Sequence, residues 1–534
     1  MTRRSARSRH DARHAFQWAP AIFAALVGLA ACSDAPQPTG LARPGRPAFV
    51  QVATGPVITS TADPGDGTCD DAGTGDGCTL REAIVFAAPG ATITFAPGVT
   101  GTITLTAGQL DIDKGLTITG PGARSLAVNG NNSGRVFDVK SGVGPVALAG
   151  LTITGGTVVG SLGGGIANSG TLTLTRCTVT GNNAIDGGGI DNEGGTLTVV
   201  ESTVSGNHAS GYGGGIFSET NSDLSSSSTT ILNSTISGNT ADAGGGVTIY
   251  NGLTRVLHST ITANRAVEGG GLWSFGDVAT RADVEGSIVA GNTTDGPAPN
   301  DAASNGTSVR YRSLGYNVVG AAGTNVDFTL EFNQTGDQTG VTDQSVLELG
   351  ALADNGGPTN THAVLAGSAA SDKGDPAFDP NAFTPPLDTD QRGTGFARVS
   401  GGRVDVGAFE RQVTLFPFTG FFQPVDNPGP NDDVVNRAKA GQAIAVKFAL
   451  GGNQGLAIFR AGYPKFVSEP CDRSGAMDDI EATTTSPAGL TYDPATQQYT
   501  YVWKTDKAWA GKCGTFELGL TDDSNHHALF RFVR

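Results

Sequence analysis

Between residues 163 and 292 the apolar and polar positions recur on a fixed plan. A triple glycine followed by an aliphatic residue appears at Gly163–Ile166, Gly187–Ile190, Gly213–Ile216, Gly244–Val247 and Gly269–Leu272, with starts 24, 26, 31 and 25 residues apart. Within a repeat, Leu172 and Leu174 alternate with Thr, and so do Cys177 and Val179. That alternation is the mark of strands. Between the two pairs the step is three residues, and it recurs from Leu148 to Leu151, Val199 to Ser202, Ile231 to Ser234, Val256 to Ser259 and Val284 to Ser287. Such a step bends the chain while keeping apolar groups inward. Each repeat therefore predicts three short strands and three turns, one coil of a parallel β-helix, right-handed by the crossover rule.

Stacked coils place equivalent residues above one another. Ile166, Ile190, Ile216, Val247 and Leu272 then form an inward aliphatic column, and Cys177 becomes a small buried thiol in a column of Ser202, Ser234, Ser259 and Ser287. Asn182, Asn207, Asn239, Asn264 and Asn292 each end a Ser/Cys-x-Val/Ile-x-Gly/Ala-Asn phrase. A column of this kind suits turn residues that tolerate left-handed backbone and bond to their copies in the next coil. Its role is architectural. At roughly 25 residues per coil, residues 91–346 hold about ten coils, a rod about 50 Å long.

If the aliphatic after each triplet points inward, the residues one and three places later point outward. Coil by coil these are Ala167 and Ser169, Asp191 and Glu193, Phe217 and Glu219, Thr248 and Tyr250, then Trp273 and Phe275. Asp191, Glu193, Phe217, Glu219, Tyr250, Trp273 and Phe275 are read as a ligand-binding face, suited to stacking on sugar rings or to a protein contact. A neighbouring segment packed over the aromatics is the alternative. Glu193 and Glu219 would sit about 5 Å apart, near the carboxyl separation of retaining glycosidases, and are the catalytic pair if the chain is an enzyme.

Residues 1–31 read as an export signal: Arg3, Arg4, Arg7, Arg9 and Arg13, then the apolar run from Ala21 to Ala31. Leu29-Ala30-Ala31-Cys32 resembles a bacterial lipobox, which implies acylation of Cys32 and a membrane attachment through that lipid. Residues 32–49 form a flexible tether. Removing residues 1–31 takes away five Arg and one Asp and leaves a net charge of −20, against −16 for the whole chain. That charge excludes a nucleic-acid partner. Exported chains permit disulfides, and the expected pairs are Cys69–Cys78 and Cys471–Cys513, although the sequence alone leaves other connectivities open.

Thr79 and Glu82 make a capping box for a short helix whose apolar face, Leu80, Ala83, Ile84 and Ala87, would cover the open first coil. The stretch from Cys78 to Ala83 resembles the CSLREA motif of bacterial surface proteins, with Thr79 in place of Ser. The loop before it carries Asp63, Asp66, Asp70, Asp71 and Asp76, a weak calcium candidate set against a solvated acidic turn. No other cofactor is expected.

Ser313–Asn317, Asp354–Thr359, Thr361-His362, Asp390–Gly393 and Asp405–Glu410 together resemble the second half of the choice-of-anchor Q family, surface β-helices with varied anchors. Ala369-Ala370 departs from that family's Pro before Ala-Ile. His362, Asp390, Arg392 and Asp405 read as the polar network of a terminal cap rather than a catalytic site. Beyond residue 416 aromatic alternation replaces the glycines. Ala445–Phe448, with Phe421–Val425 and Tyr501–Lys504, resembles the PxKF domain, Ala445 replacing its Pro. That resemblance implies an immunoglobulin-like sandwich, in which Trp503 and Trp509 serve the core.

The expected order is a signal at 1–31, a tether at 32–49, an N-terminal cap at 50–90, the β-helix at 91–346, its C-terminal cap at 347–411 and the sandwich at 416–534. The function expected of it is a lipid-anchored envelope or outer-membrane scaffold, displayed at the cell surface for adhesion or for binding a polysaccharide or surface protein. A polysaccharide lyase or glycoside hydrolase is the alternative. Fold alone does not decide between them.

Overall fold

A computed structural model describes residues 55–70, 75, 77–220, 227–276, 280–295, 300–305, 310–428, 434–471, 476–480, 489–522 and 524–534. The export signal, Cys32, the tether, Asp71 and Asp76 lie outside these residues. Three parallel sheets wind into a right-handed β-helix. Sheet one holds ten strands, from Val57–Ile58 to Tyr311–Gly315; sheet two holds eight, from Leu110–Ile112 to Ala302–Ser304; sheet three holds ten, from Gly101–Thr104 to Gln338–Thr339. About eight coils therefore carry all three strands, and ten are reached only in two of the sheets. The register pairs Ile166, Ile190, Ile216, Val247 and Leu272 in one column, and all five are fully buried.

The coils are tied inside by polar ladders. Asn182 Nδ2 donates to Asn207 Oδ1 at 2.9 Å, and the same 2.9 Å bond links Asn207 to Asn239, Asn239 to Asn264 and Asn264 to Asn292. Each of these amides also donates back to a carbonyl of the preceding coil, as Asn207 Nδ2 does to Val179 O at 3.0 Å. A serine ladder runs beside it: Ser202 Oγ accepts from Cys177 N–H, Ser234 Oγ from Ser202 N–H and Ser259 Oγ from Ser234 N–H. Cys177 is buried and free, and burial raises its thiol pKa to about 11, so it stays protonated.

The bends differ from expectation in one respect. The ladder asparagines are not left-handed; the residue before each of them is, at Gly181, Gly206, Gly238, Ala263 and Gly291, with φ of 66°, 62°, 66°, 58° and 74°. The three-residue step is likewise made by left-handed Arg176, Glu201, Asn233 and His258. An asparagine whose amide serves four bonds has its side chain fixed, so the backbone reversal falls to its small neighbour.

Both ends of the rod are closed. Helix α1, Leu80–Phe86, starts on the expected capping box and buries Leu80, Glu82, Ala83 and Ile84. Arg81 binds Asp63 at 2.7 Å and the carbonyls of Gly108 and Gln109, which pins the acidic loop to the first coils. The Cys69–Cys78 disulfide closes that loop. At the other end Phe332 stacks on Tyr311 at 5.9 Å, and Glu331 accepts the N–H groups of Arg310 and Tyr311, where the last strand of sheet one begins. An open strand edge is thereby satisfied.

Residues 347–411 do more than close an end: they lie along the outer side of sheet three. Thr203 donates to Asn360 O, Thr235 to Gln391 Oε1, Ser237 meets His362 Nε2 at 2.8 Å, and Thr260 Oγ1 accepts from Ala408 N–H, so one segment buttresses three coils. Arg392 binds Asp390 at 2.6 Å and lies between the rings of Phe396 and Phe409, 3.9 and 3.8 Å from their centroids. His362, Asp390, Arg392 and Asp405 are thus internal fastenings. The C-terminal sandwich packs a sheet of four strands against one of five. Trp503 is buried among Phe516, Phe530 and Phe532, Trp509 packs at the core's margin, and Cys471–Cys513 is a disulfide.

Two predictions arise here. Ala263 is the one exposed alanine at a bend where the neighbouring coils use glycine. Ala263→Gly removes left-handed strain of about 1 kcal/mol. It should raise the midpoint of urea unfolding; a lowered midpoint would contradict the strain argument. Asp301 ends the asparagine ladder, accepting Asn292 Nδ2 at 2.8 Å, and burial pushes its carboxyl up to about 6 despite three N–H donors. A folded pKa above the unfolded 3.8 means that this group's contribution is fully present below about pH 4 and lost as pH rises through about 6. Up to about 3 kcal/mol is at stake. Relative to Asp301→Asn, the wild type should therefore lose stability between pH 4 and 6.5, read from urea melts of both proteins.

Candidate functional site

The outward side of sheet two carries the candidate residues. Register sets Ala167, Asp191, Phe217, Thr248, Trp273 and Ala303 in one outward column and Glu193, Glu219, Tyr250 and Phe275 in the next. The face falls into three zones. Nearest the N-terminal end, Asp111 and Asp138 bind Lys140 at 2.8 and 2.7 Å, and Arg135 reaches Asp138 at 3.3 Å. These charges are paired. Next comes the acidic zone of Asp191, Glu193 and Glu219, and beyond it the aromatic zone.

The aromatic zone is not open. Phe217, Trp273 and Phe275 are 0%, 4% and 8% exposed and form one cluster with Ala243 and Ala303. Tyr212 lies 5.9 Å from Phe217 and 4.9 Å from Phe275, and Tyr250 stacks on Phe275 at 4.6 Å. The reading of these rings as an exposed ligand face is corrected by this packing; only Tyr212 and Tyr250 keep partial exposure. The cause is the glycine turn. Gly187, Gly213 and Gly244 are left-handed, and a Cβ on Gly187 would come within 2.8 Å of the Asp191 side chain. So tight a turn lays the residue before each triplet over the outward side of the strand. Those residues, Asp186, Tyr212, Ala243 and Glu268, form a column of their own, with parallel bridges from Tyr212 to Ala243 and from Ala243 to Glu268. Sequence reasoning missed Asp186 and Tyr212, although their fixed place before the triplet was a usable signal.

The acidic zone brings three expected residues together. Carboxylate oxygens of Asp191, Glu193 and Glu219 lie within 4.8 Å of one another. Asp191 and Glu219 are buried and Glu193 is half-buried. Burial, and then the charges of Glu219, Glu193 and Asp186, push the Asp191 carboxyl well above the usual carboxylate range, with Arg135 opposing them. Arg135 itself donates to Gln109, Gly163 O and Leu162 O. Chemically the zone offers only oxygen donors, as a proton-sharing set or as ligands for a hard cation. The acids of the N-terminal loop are used otherwise: Asp63 holds Arg81, and Asp66 Oδ1 accepts both the N–H and the hydroxyl of Thr68.

A cavity of about 130 Å³ lies elsewhere, lined by His258, Glu285, Tyr316, Phe378 and Phe383 among others. His258 stands edge-on to both phenyl rings and meets Arg398 at 3.2 Å, and burial keeps it neutral. Its groups serve packing.

Trp273→Ala should behave as a core deletion, with a loss of about 3–5 kcal/mol in urea unfolding. Unchanged stability would reopen the exposed-face reading.

Comparison with known proteins adds one finding. Residues 115–293, roughly a third of the chain, match the family described as a right handed beta helix region. No curated protein and no solved structure matches the chain. The stretch carrying the glycine triplets, the asparagine ladder and the acidic zone is a right-handed β-helix region.

Proposed function

We propose that this protein is an exported envelope lipoprotein whose β-helix serves as a stiff scaffold for adhesion or glycan binding at the cell surface. The observation that carries the reading is the unbroken internal ladder from Asn182 to Asp301 in a rod closed at both ends. A closed, internally fastened solenoid does not polymerise through its edges, and only its flanks are left for contact. The lipobox resemblance at Cys32 supports attachment to a membrane, and two disulfides support life outside the cytosol. The resemblances to choice-of-anchor Q, CSLREA and PxKF sequences point the same way, since such proteins are surface components with modular ends.

A second reading is a glycoside hydrolase or lyase acting at Glu193 and Glu219. It is favoured by the raised Asp191 carboxyl, a proton source beside carboxylates able to act as base or nucleophile. One experiment tests both readings. The full chain, purified in detergent, is applied to a glycan array, and every bound glycan is assayed for new reducing ends and unsaturated products. Saturable binding without product is expected. Product that disappears in Glu219→Gln would replace the scaffold reading with the enzymatic one, and neither binding nor product would count against glycan recognition altogether.

A further inference from the structure

We propose that Asp191, Glu193 and Glu219 form a binding site for one calcium ion on the outward side of sheet two. Two coils supply the ligands: Asp191 and Glu193 stand two residues apart on the strand Ile190–Glu193, and Glu219 is the register partner of Glu193 on the next. The strands are hydrogen-bonded on either side, so the carboxylates are presented by rigid backbone.

The independent observation is Asp191 itself. Its side chain is 2% exposed, its Oδ1 is buried, and among the described residues no hydrogen-bond donor reaches that oxygen. A buried carboxylate oxygen without a partner is costly, and the cost is relieved when an ion coordinates it. The rest of the face shows how outward acids are treated when no ion is required. Asp138, in the same outward column, is met by Lys140, Arg135 and Gln109. Asp191 has Glu193 and Glu219 as its neighbours instead.

Ligand chemistry favours calcium. Calcium binds oxygen at about 2.3–2.6 Å, so two oxygens on one ion stand at most about 4.6–5.2 Å apart. The three carboxylates lie within 4.8 Å of one another, within calcium's reach. Magnesium, at about 2.0–2.1 Å, demands a near-ideal octahedron and prefers to keep its water, so a cluster of three protein carboxylates suits it less. Calcium's six to eight oxygens leave positions beyond these carboxylates for water or for a ligand's hydroxyls. This proposal does not depend on the scaffold reading, but it competes with the enzymatic one, because a carboxylate that ligates calcium no longer holds the proton that reading needs.

The test uses the full chain, freed of metal with a chelator. Terbium, which replaces calcium and emits when excited through a nearby aromatic, should light up through Tyr212, whose ring stacks on Phe217 beside Asp191. Calcium should quench that emission with a stoichiometry of about one per chain, and magnesium should need at least about tenfold more. Calcium should also raise the melting temperature by about 2–4 °C at saturating concentration. In Asp191→Asn and Glu193→Gln both responses should be lost, while the metal-free variants melt no lower than the metal-free wild type, since a charge repulsion is removed. That comparison separates loss of the site from loss of the fold. Calcium without effect on the wild type overturns the proposal. So does a response retained in both variants, which would put the ion elsewhere, as in the acidic loop around Asp66. Magnesium acting as strongly as calcium overturns the assignment of the ion.

Discussion

The structure depends on one contact repeated in five successive coils: a buried asparagine amide lying against a glycine. Each ladder asparagine donates forward to its copy and backward to a carbonyl, and its oxygen accepts from the copy before it. The third glycine of each triplet makes room for this. A Cβ on Gly189 would stand 2.9 Å from Asn207 Nδ2, and one on Gly246 would stand 3.1 Å from Asn264 Nδ2. Such positions are closed to any side chain. The two sequence signals, the triplet and the asparagine phrase, are the two sides of a single interface, which is why they keep step even when the repeat length changes from 24 to 31 residues.

A ladder whose donors all point one way must end on a group that only accepts. Asp301 receives Asn292, Asp337 receives Asn317 at 3.0 Å, and Glu331 receives the N–H groups where the last strand of sheet one begins. An amide in these places would carry an NH2 with no further coil to receive it. Carboxylates therefore accumulate at the C-terminal end of the solenoid for a reason unrelated to ligands, and part of the chain's acidity is structural. Buried acids at ladder ends are met by N–H donors, whereas Asp191 Oδ1 is not.

Most of the fold was legible because it is periodic. The aliphatic column, the serine column, the three-residue step and the capping box at Thr79 and Glu82 are local or repeat-spaced, and each occupies its expected place. The facing of Phe217 and Trp273 away from the bore was legible too, since strand alternation determines it. Their covering was not. Alternation tells which side of a strand a residue takes and nothing about what lies above it, and the covering residues Tyr212 and Ala243 sit in a turn. The buttress on sheet three was hidden for a related reason. Its contacts, such as Thr203 to Asn360, join residues 157 positions apart, and no period links them.

Sheet two displays three treatments of the same outward position, and the contrast among them locates the candidate site. Ion pairs neutralise Asp111 and Asp138, ring packing covers Phe217, Trp273 and Phe275, and between these zones acids face acids. A solenoid gains nothing in stability from clustered like charges: at about 4–5 Å even a solvated pair repels by about 1 kcal/mol, and burial increases that. Substituting any one of the three with Gln, Asn or Thr would relieve the repulsion without touching the ladders, the glycine turns or the aliphatic column. The rod's own physics therefore does not require Asp191, Glu193 and Glu219 together. Among the described residues, the ladders, the glycine turns and the aliphatic column do not account for that grouping, and it is explained once something positive, a proton or a metal ion, is counted as part of the site.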